Sequence, residues 1–369
     1  MNHRTLLRDV VLEDETLAHY KRVAIVRSLE GLGDFLCLVP ALRSLRVALP
    51  EATITLIGLS KTQPLVQRFH HYIDELLAFP GFPGLPEQIP QLQRIPDFLE
   101  TAQKQCFDLA LQLHGSGIIT NPLTMLLGAK QNAGFFLSGQ YCPDPNRFLP
   151  FREDESEIRR TLRLMAYLGL PTQGEALEFP LHEADYQAAV SIEATYALQP
   201  GRYVCVHSGA SIVDRRWSPK CFAIVADTLA RQGLQIVLTG SAEEAPLNQA
   251  VARFMQAPSI NLAGRTDLGA LAVLLKGARL LVCNDTGVSH LAAALQVPSV
   301  VIFTTSNPDR WAPLDRTRHR VICTTRGGTL EDAIVEAEAL LHQSSVSQEA
   351  SLVASHLNQN REHLHDSSV

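Results

Sequence analysis

Two successive series of short apolar segments, each followed by a tight turn and an amphipathic helix, constrain the fold of this chain most strongly. The segments lie at 22–27, 53–58 and 107–113 in the first series, and at 203–207, 234–239 and 280–283 in the second. Short apolar runs bounded by turns are typical of strands buried on both faces of a parallel sheet. We therefore predict an α/β protein with two doubly wound, Rossmann-like domains.

The length of 369 residues also favours two domains over one. We predict an N-terminal extension over 1–21, a first domain over 22–180, a connector over 181–200, a second domain over 201–345 and a polar, disordered tail over 346–369. Ligands of doubly wound folds bind beyond the carboxyl ends of the strands. The cleft between the two domains is therefore the expected ligand site.

Composition excludes several classes of protein. The net charge of -6 argues against a nucleic-acid-binding protein, since such domains are normally basic. The seven cysteines are scattered and form no C-x-x-C pair, which favours reduced thiols in a reducing compartment. The N-terminus lacks the apolar core of a signal peptide, and no run of about 18 apolar residues exists for a transmembrane helix. A cytoplasmic enzyme fits these features.

The segment 280–295 has the pattern of a buried strand, a sharp turn and a helix. Asp285 is predicted to cap that helix, and Gly287 leaves room for a ligand to approach the backbone. The first-turn N–H groups of Thr286, Gly287 and Val288 would then form an anion site suited to phosphate or diphosphate. The alternative is an ordinary capped strand–helix unit that binds nothing.

Charged side chains near other turns of the second series are further candidates. Arg215 and Arg216 precede a helix start and are suited to neutralise a diphosphate, although a solvated surface loop is the alternative. Glu244 is suited to accept hydrogen bonds from ribose hydroxyls, or it simply occupies a first helical turn, where acidic residues are favoured. His290 lies on the polar side of its helix, where a structural, hydrogen-bonded histidine is the commoner role.

The glycine-containing turn after the first strand presents Asp34 at a helix start. The position is that of a dinucleotide fingerprint, but Leu36 replaces its third glycine and no acidic residue ends the second strand. Asp34 is therefore interpreted either as a helix cap, worth about 1 kcal/mol, or as a general base that faces the cleft. No H-x-x-x-H or C-x-x-C spacing predicts a metal site, and no G-x-S-x-G motif supports hydrolase chemistry.

Together these segments resemble glycosyltransferase family 9, the heptosyltransferases that build the lipopolysaccharide inner core, over residues 22–325. Three motifs carry the resemblance: Gly33-Asp34 after the first strand, residues 214–219 and residues 285–294.

Three positions depart from the pattern of that family. Arg215 stands where the family often has lysine, which keeps the charge but changes its geometry. Thr304 replaces a common glycine after the penultimate strand, and Gln112 replaces an acidic residue near the end of the 107–113 strand. These departures affect the expected nucleotide base and sugar of the donor more than the fold.

The resemblance implies a GT-B arrangement of two Rossmann-like domains that face each other across a cleft. It implies inverting, metal-independent and cofactor-free transfer of a heptose from the nucleotide sugar ADP-heptose to a lipopolysaccharide-core glycolipid. The enzyme would work in the cytoplasm, peripheral to the inner membrane. Asp34 matches the position of the catalytic base, and the acceptor-side candidates are Gly33 and His114. The donor-side candidates are Ser208, Gly209, Arg215, Arg216, Gly240, Glu244, Asp285, Thr286, Gly287, Val288 and His290.

Two other functions remain compatible with the same residues. One is a nucleotide-sugar epimerase or hydrolase on the same two-domain scaffold, which would consume the donor without a sugar acceptor. The other is a non-catalytic nucleotide-sugar-binding protein, which would bind the donor without turnover.

Overall fold

The computed structural model describes residues 20–343, which form two compact units that divide between Pro180 and Leu181. Each unit contains a six-stranded sheet in which every pair of neighbouring strands is parallel. The prediction of an α/β protein with two Rossmann-like domains is therefore confirmed.

In the first unit, residues 20–180 form six strands and six α-helices. The strands are β1 Arg22–Val26, β2 Thr53–Gly58, β3 Glu75–Ala78, β4 Leu109–Gln112, β5 Gln131–Phe136 and β6 Phe148–Pro150. The helices are α1 Leu32–Leu36, α2 Val39–Ala48, α3 Gln63–Arg68, α4 Ile95–Lys104, α5 Thr120–Leu126 and α6 Glu157–Tyr167.

In the second unit, strands and helices alternate after an initial helix. The strands are β7 Tyr203–His207, β8 Gln235–Leu238, β9 Ser259–Asn261, β10 Leu280–Asn284, β11 Ser299–Phe303 and β12 His319–Cys323. The helices are α7 Glu183–Tyr196, α8 Pro219–Ala230, α9 Ala245–Phe254, α10 Leu268–Gly277, α11 Gly287–Ala294, α12 Pro308–Trp311 and α13 over 330–343.

The two sheets share one topology. Their strand orders are β3-β2-β1-β4-β5-β6 and β12-β11-β10-β7-β8-β9, so the first strand of each unit lies between the second and the fourth. In such a sheet the chain leaves the two central strands in opposite directions, which opens a crevice at their carboxyl ends. The expected ligand positions are therefore the ends of β1 and β4 in one unit and of β7 and β10 in the other.

Burial explains why the central strands read as continuous apolar runs. All five residues of β7 and of β10 are buried, because helices cover both faces of a parallel sheet. In the second unit α8 and α13 pack on the sheet, with Phe222, Val225 and Ala337 in one apolar cluster with Val204 and Val282.

The helix predicted after Asp34 is interrupted in the structure. It consists of α1 and α2, which are separated by Cys37 and Leu38. Pro40 is the physical reason, since it has no N–H to donate to the carbonyl of Leu36 and occupies the first turn of α2 instead.

The predicted connector, 181–200, contains α7, which begins with a reciprocal capping box between His182 and Asp185. This helix packs beside α10, where the Lys276 ammonium donates to the Tyr186 hydroxyl at 3.2 Å. Apart from Tyr20 and Lys21, the predicted N-terminal extension lies outside the described residues, as does the predicted tail. Over 20–343, no helix combines the length and apolarity needed to cross a bilayer.

Candidate functional site

Asp34 lies in the first turn of α1, directly beyond the carboxyl end of β1. Gly31, not Asp34, is the N-cap of α1, so the interpretation of Asp34 as the helix cap is wrong. A Cβ atom on Gly31 would lie 2.3 Å from Oδ2 of Asp34, which means that only glycine leaves room for the carboxylate in this position. The Asp34 side chain is 25% exposed and is therefore accessible to a substrate.

A buried arginine, Arg27, supports the backbone of Asp34. Arg27, which follows β1, donates to the backbone carbonyl of Asp34 from Nε at 3.2 Å and from Nη2 at 2.9 Å. Its Nη2 also lies 4.0 Å from Oδ1 of Asp34 and 3.3 Å from Oε1 of Glu157. The second carboxylate oxygen of Glu157 binds Arg160, so these three side chains share charge inside the unit. Sequence reasoning missed Arg27, although a charged residue at the end of a buried strand is a usable signal.

His114 is held by contacts at both ring nitrogens. The backbone N–H of Ser28 donates to Nδ1 at 3.2 Å, so the other nitrogen, Nε2, carries the proton and donates to Glu87 at 3.0 Å. This hydrogen bond keeps the pKa of Glu87 below its usual value, against the opposing effect of burial. His114 is only 5% exposed, so its ring orders the loop that carries Glu87.

The other first-unit positions have structural partners. Gly33 is buried in α1, and its carbonyl accepts the N–H of Cys37 at 2.9 Å. Gln112 ends β4, donates to the Thr120 hydroxyl at 2.6 Å and accepts from the backbone of Phe135 at 3.1 Å. Its amide supplies both a donor and an acceptor, whereas a carboxylate in this position could only accept.

The anion site predicted in the second unit lies at the start of α11. Thr286 is the N-cap residue, so the prediction that Asp285 caps this helix is wrong. Asp285 instead extends the strand register, because its N–H bonds to the carbonyl of Ile302 at 2.8 Å. The helix α10 offers a contrast, since its cap Asp267 accepts from the first turn, whereas Thr286 makes no side-chain cap bond. The first-turn N–H groups of α11 are consequently left to other acceptors.

Arg215 and Asp285 bring opposite charges to this turn. Nη1 of Arg215 lies 3.7 Å from Oδ2 of Asp285, and the aspartate side chain is only 4% exposed whereas that of arginine is 29% exposed. Oδ2 of Asp285 is buried and accepts no hydrogen bond in the described part of the chain. Arg216 makes a different contact: its Nε donates to the backbone carbonyl of Ala210 at 2.8 Å.

Glu244 lies over the exit turn of β7. A Cβ on Gly209 would be 2.0 Å from its carboxylate, and a Cβ on Gly240 would be 3.2 Å from it. The N–H of Ser241 donates to the same carboxylate at 2.8 Å, and His207 lies 4.0 Å from it. Burial lowers the pKa of His207, which therefore stays neutral behind Glu244.

Three buried polar side chains join the turns of the second unit, and two of them were not predicted as site residues. Asn284 accepts from the N–H of Trp217 at 2.9 Å and donates to the carbonyl of Ser208 at 2.8 Å. The Ser208 hydroxyl donates to Asn248, whose amide reaches the carbonyl of Thr239 at 3.2 Å. An asparagine directly after an apolar strand is the only sequence signal for this network.

The structure thus brings most predicted donor-side residues to the carboxyl ends of β7, β8 and β10. The prediction that His290 lies on the polar side of its helix is wrong, since the residue is 2% exposed and its ring packs edge-on against Trp311 at 6.5 Å between centroids. All seven cysteines are free thiols. Among residues 20–343, no group of three His, Cys, Asp or Glu side chains is arranged to hold a metal ion.

Each of the two units has the doubly wound sheet topology that is common among nucleotide-binding proteins, with an accessible acid in the first unit and a cation beside a helix start in the second. The model of glycosyltransferase family 9 (heptosyltransferase) matches residues 99–334. The chain therefore belongs to glycosyltransferase family 9, as its motifs predicted.

Individual relatives agree with this assignment. Lipopolysaccharide heptosyltransferase 2 of Salmonella typhimurium is 36% identical over 112 residues, which are 29% of this chain and 32% of the relative. Lipopolysaccharide heptosyltransferase 1 of Pseudomonas aeruginosa is 28% identical over 208 residues, which are 54% of this chain and 56% of the relative. These matches span about a third and somewhat more than half of the curated relatives.

Solved structures share the fold over nearly their whole length. The family 9 glycosyl transferase of Veillonella parvula has a TM-score of 0.72 at 23% identity, and the match covers 89% of this chain and 98% of that one. The ADP-heptose lps heptosyltransferase II of Escherichia coli has a TM-score of 0.68 at 23% identity, with 88% and 99% covered. The predicted GT-B class of fold is thereby confirmed.

Proposed function

We propose that this protein transfers a heptose from ADP-heptose to a glycolipid of the lipopolysaccharide core, with inversion at the anomeric carbon and without a metal ion. The observation that carries the proposal is the accessible carboxylate of Asp34, which is held at the carboxyl end of β1 on a buried support. Membership of family 9 and the names of the relatives supply the sugar, the nucleotide and the acceptor class.

The donor diphosphate lies, in this proposal, at the start of α11. The N–H groups of Thr286, Gly287 and Val288 point out of that helix end and favour negative charge there. Arg215 supplies the countercharge that a metal ion gives in other transferases, because its guanidinium is partly exposed beside Asp285. Arg216 is the second candidate for this role.

The nucleoside lies, in this proposal, over the exit turns of β7 and β8. Gly209 and Gly240 leave space there, and Ser208 fixes the first of the two turns. Glu244 is placed by Ser241 so that its carboxylate is suited to accept hydrogen bonds from the ribose hydroxyls. His290, a residue of α11 itself, is buried and is assigned no ligand contact.

The chemistry assigned to Asp34 is general base catalysis. Its carboxylate takes the proton of an acceptor hydroxyl, whose oxygen attacks the anomeric carbon from the face opposite the diphosphate. The new glycosidic bond forms as the bond to the diphosphate breaks, and ADP leaves with the electron pair. Arg215 and the α11 N–H groups stabilise the charge that develops on this leaving group.

The acceptor is a glycolipid at the cytoplasmic face of the inner membrane, so the protein would act at that surface as a peripheral enzyme. Of the glycolipid acceptor, only the sugar hydroxyl must reach Asp34. His114 and Gly33 contribute indirectly in this proposal, by ordering the loop with Glu87 and the turn with Asp34.

The decisive experiment replaces Asp34 by asparagine, which keeps the shape but cannot accept a proton at neutral pH. We expect kcat for heptose transfer to fall about 10³-fold while calorimetric binding of ADP stays unchanged. Asp97→Asn is the matched control, because Asp97 is an exposed acid in the first turn of α4.

Turnover by Asp34→Asn close to the wild-type rate would refute the assignment of the base. Consumption of ADP-heptose without any acceptor would replace the proposal by a donor hydrolase or epimerase. Binding of ADP-heptose without turnover on any core acceptor would indicate a non-catalytic binding protein.

A further inference from the structure

Arg27 has an unusual environment for a charged side chain. It is 4% exposed, and each of its three guanidinium nitrogens donates a hydrogen bond inside the first unit. Two of the nitrogens converge on the backbone carbonyl of Asp34, and the third, Nη1, donates to the carbonyl of Leu113 at 2.6 Å. One planar group therefore fastens α1 to the end of β4.

A second carboxylate, that of Glu157, also balances the charge of Arg27. Both terminal nitrogens lie 3.3 Å from Oε1 of Glu157, at the start of α6. A buried ion pair adds little net stability, because desolvation of both ions offsets their attraction. It does fix geometry, since a rigid guanidinium fork holds its acceptors at set angles.

Arg160 provides an internal comparison. It is also buried, at 2% exposure, and it pairs with the other oxygen of Glu157. Its Nη2 donates to the carbonyls of Arg152 and Glu155, at 2.6 and 3.0 Å, and its guanidinium lies 4.2 Å from the ring centre of Phe151. These contacts order the approach to α6 rather than the turn that carries Asp34.

We propose that Arg27 is a positioning residue for sugar transfer: it acts through Asp34 by fixing the backbone of α1 against β4 and α6. The inference rests on the proposed function of Asp34 as the base. A base must lie within hydrogen-bond reach of the hydroxyl that it deprotonates, and an error of about 1 Å can reduce the rate about 10²-fold. Arg27 thus affects the rate of transfer rather than the affinity for the donor.

The experiment compares Arg27→Met with Arg160→Met, since both variants remove one buried arginine from the same glutamate. We expect Arg27→Met to lower kcat about 10²-fold with KM for ADP-heptose within about twofold of wild type. Arg160→Met should keep kcat within about threefold, because its carbonyl acceptors, Arg152 and Glu155, lie on the approach to α6. Equal losses of kcat in the two variants would show that Arg27 is merely structural.

Arg27→Lys keeps the buried cation but cannot hold two acceptors with one planar fork. We expect this variant to fold with wild-type ADP affinity and to lose about tenfold in kcat. It decides the inference if Arg27→Met does not fold, and wild-type kcat in Arg27→Lys would overturn it.

Hydrogen exchange separates this inference from the proposed function. Amide exchange over 31–38 should accelerate at least about tenfold in Arg27→Met and stay unchanged in Arg160→Met. If the wild type transfers no heptose, the proposed function fails and this exchange comparison alone decides whether Arg27 holds the turn. Unchanged exchange in both variants would refute the positioning role even if Asp34→Asn is inactive.

Discussion

The two units have the same strand order, yet the polar groups at their central strand ends differ in kind. Beyond β1, full charges are buried together: Arg27, Glu157 and Arg160 are each at most 4% exposed. Beyond β7 and β10, the buried groups that fix the turns are neutral, chiefly the Ser208 hydroxyl and the Asn284 amide, and the Asp285 carboxylate is the buried charge beside them. The same fold therefore supports two different solutions to the problem of fixing loops at a ligand site.

The difference follows from what each site must hold in the proposed reaction. A base has to stay in one place, and the buried pair of Arg27 and Glu157 resists displacement because an unpaired buried charge is very costly. A site for a diphosphate, by contrast, needs a cationic side chain that remains accessible to the ligand. Neutral side chains fix the turns of the second unit, and Arg215 remains 29% exposed with Asp285 as its carboxylate neighbour.

Two buried histidines of the second unit, His207 and His319, also have lowered pKa values, and His319 gives the largest expected effect. Burial lowers the pKa of His319 to about 4. Because the unfolded chain binds this proton near pH 6.5, stability is complete above that value and is lost as the pH falls toward 4. The loss between pH 7 and pH 4 should be about 3 kcal/mol.

Chemical denaturation of wild type and of His319→Gln at both pH values measures this contribution. Glutamine can still bond to Ser299, which contacts Nδ1 of His319 at 2.8 Å, but it does not titrate. Between pH 7 and pH 4, the free energy of unfolding of His319→Gln should therefore fall by about 3 kcal/mol less than that of wild type. Equal sensitivity in both proteins would place the acid-labile group elsewhere and break the contrast between the units.

The second prediction tests which arginine serves the donor. Arg215→Met should weaken ADP binding by about 2 kcal/mol, roughly 30-fold, because a charge-assisted contact is lost. Arg216→Met should have an effect of about threefold or less, since Nε of Arg216 is committed to the carbonyl of Ala210. Isothermal titration with ADP compares them, and a larger effect of Arg216→Met would reverse the assignment.

The smallest expected effects come from alanine substitutions at two glycines, one in each unit. Gly31 and Gly209 both lie beneath a carboxylate, and neither has a positive φ. An added methyl group must therefore displace Asp34 in one unit and Glu244 in the other. We expect Gly31→Ala to lower kcat about tenfold with KM unchanged, and Gly209→Ala to raise KM for the donor about tenfold. Steady-state kinetics of both variants would contradict this division if the two parameters changed together.

Much of the fold was predictable because parallel strands leave a local signal. The runs at 203–207 and 53–58 coincide with β7 and β2 as the structure has them. Pro40 also signals the interruption of the helix after Asp34. The apolar periodicity alone, however, predicts one continuous helix there. Cap positions were predicted unevenly, since Asp267 is the N-cap of α10 whereas Asp34 and Asp285 both lie away from an N-cap.

The sequence by itself determined the two parallel sheets, the membership of family 9 and the candidate acid and cation, because apolar period and short motifs are local properties of the chain. Only the tertiary structure decided what supports them. Arg27 meets Glu157 and His114 meets Glu87 across long separations in sequence. No local pattern specifies such pairs, since they form only when strand order brings distant turns to the same end of a sheet.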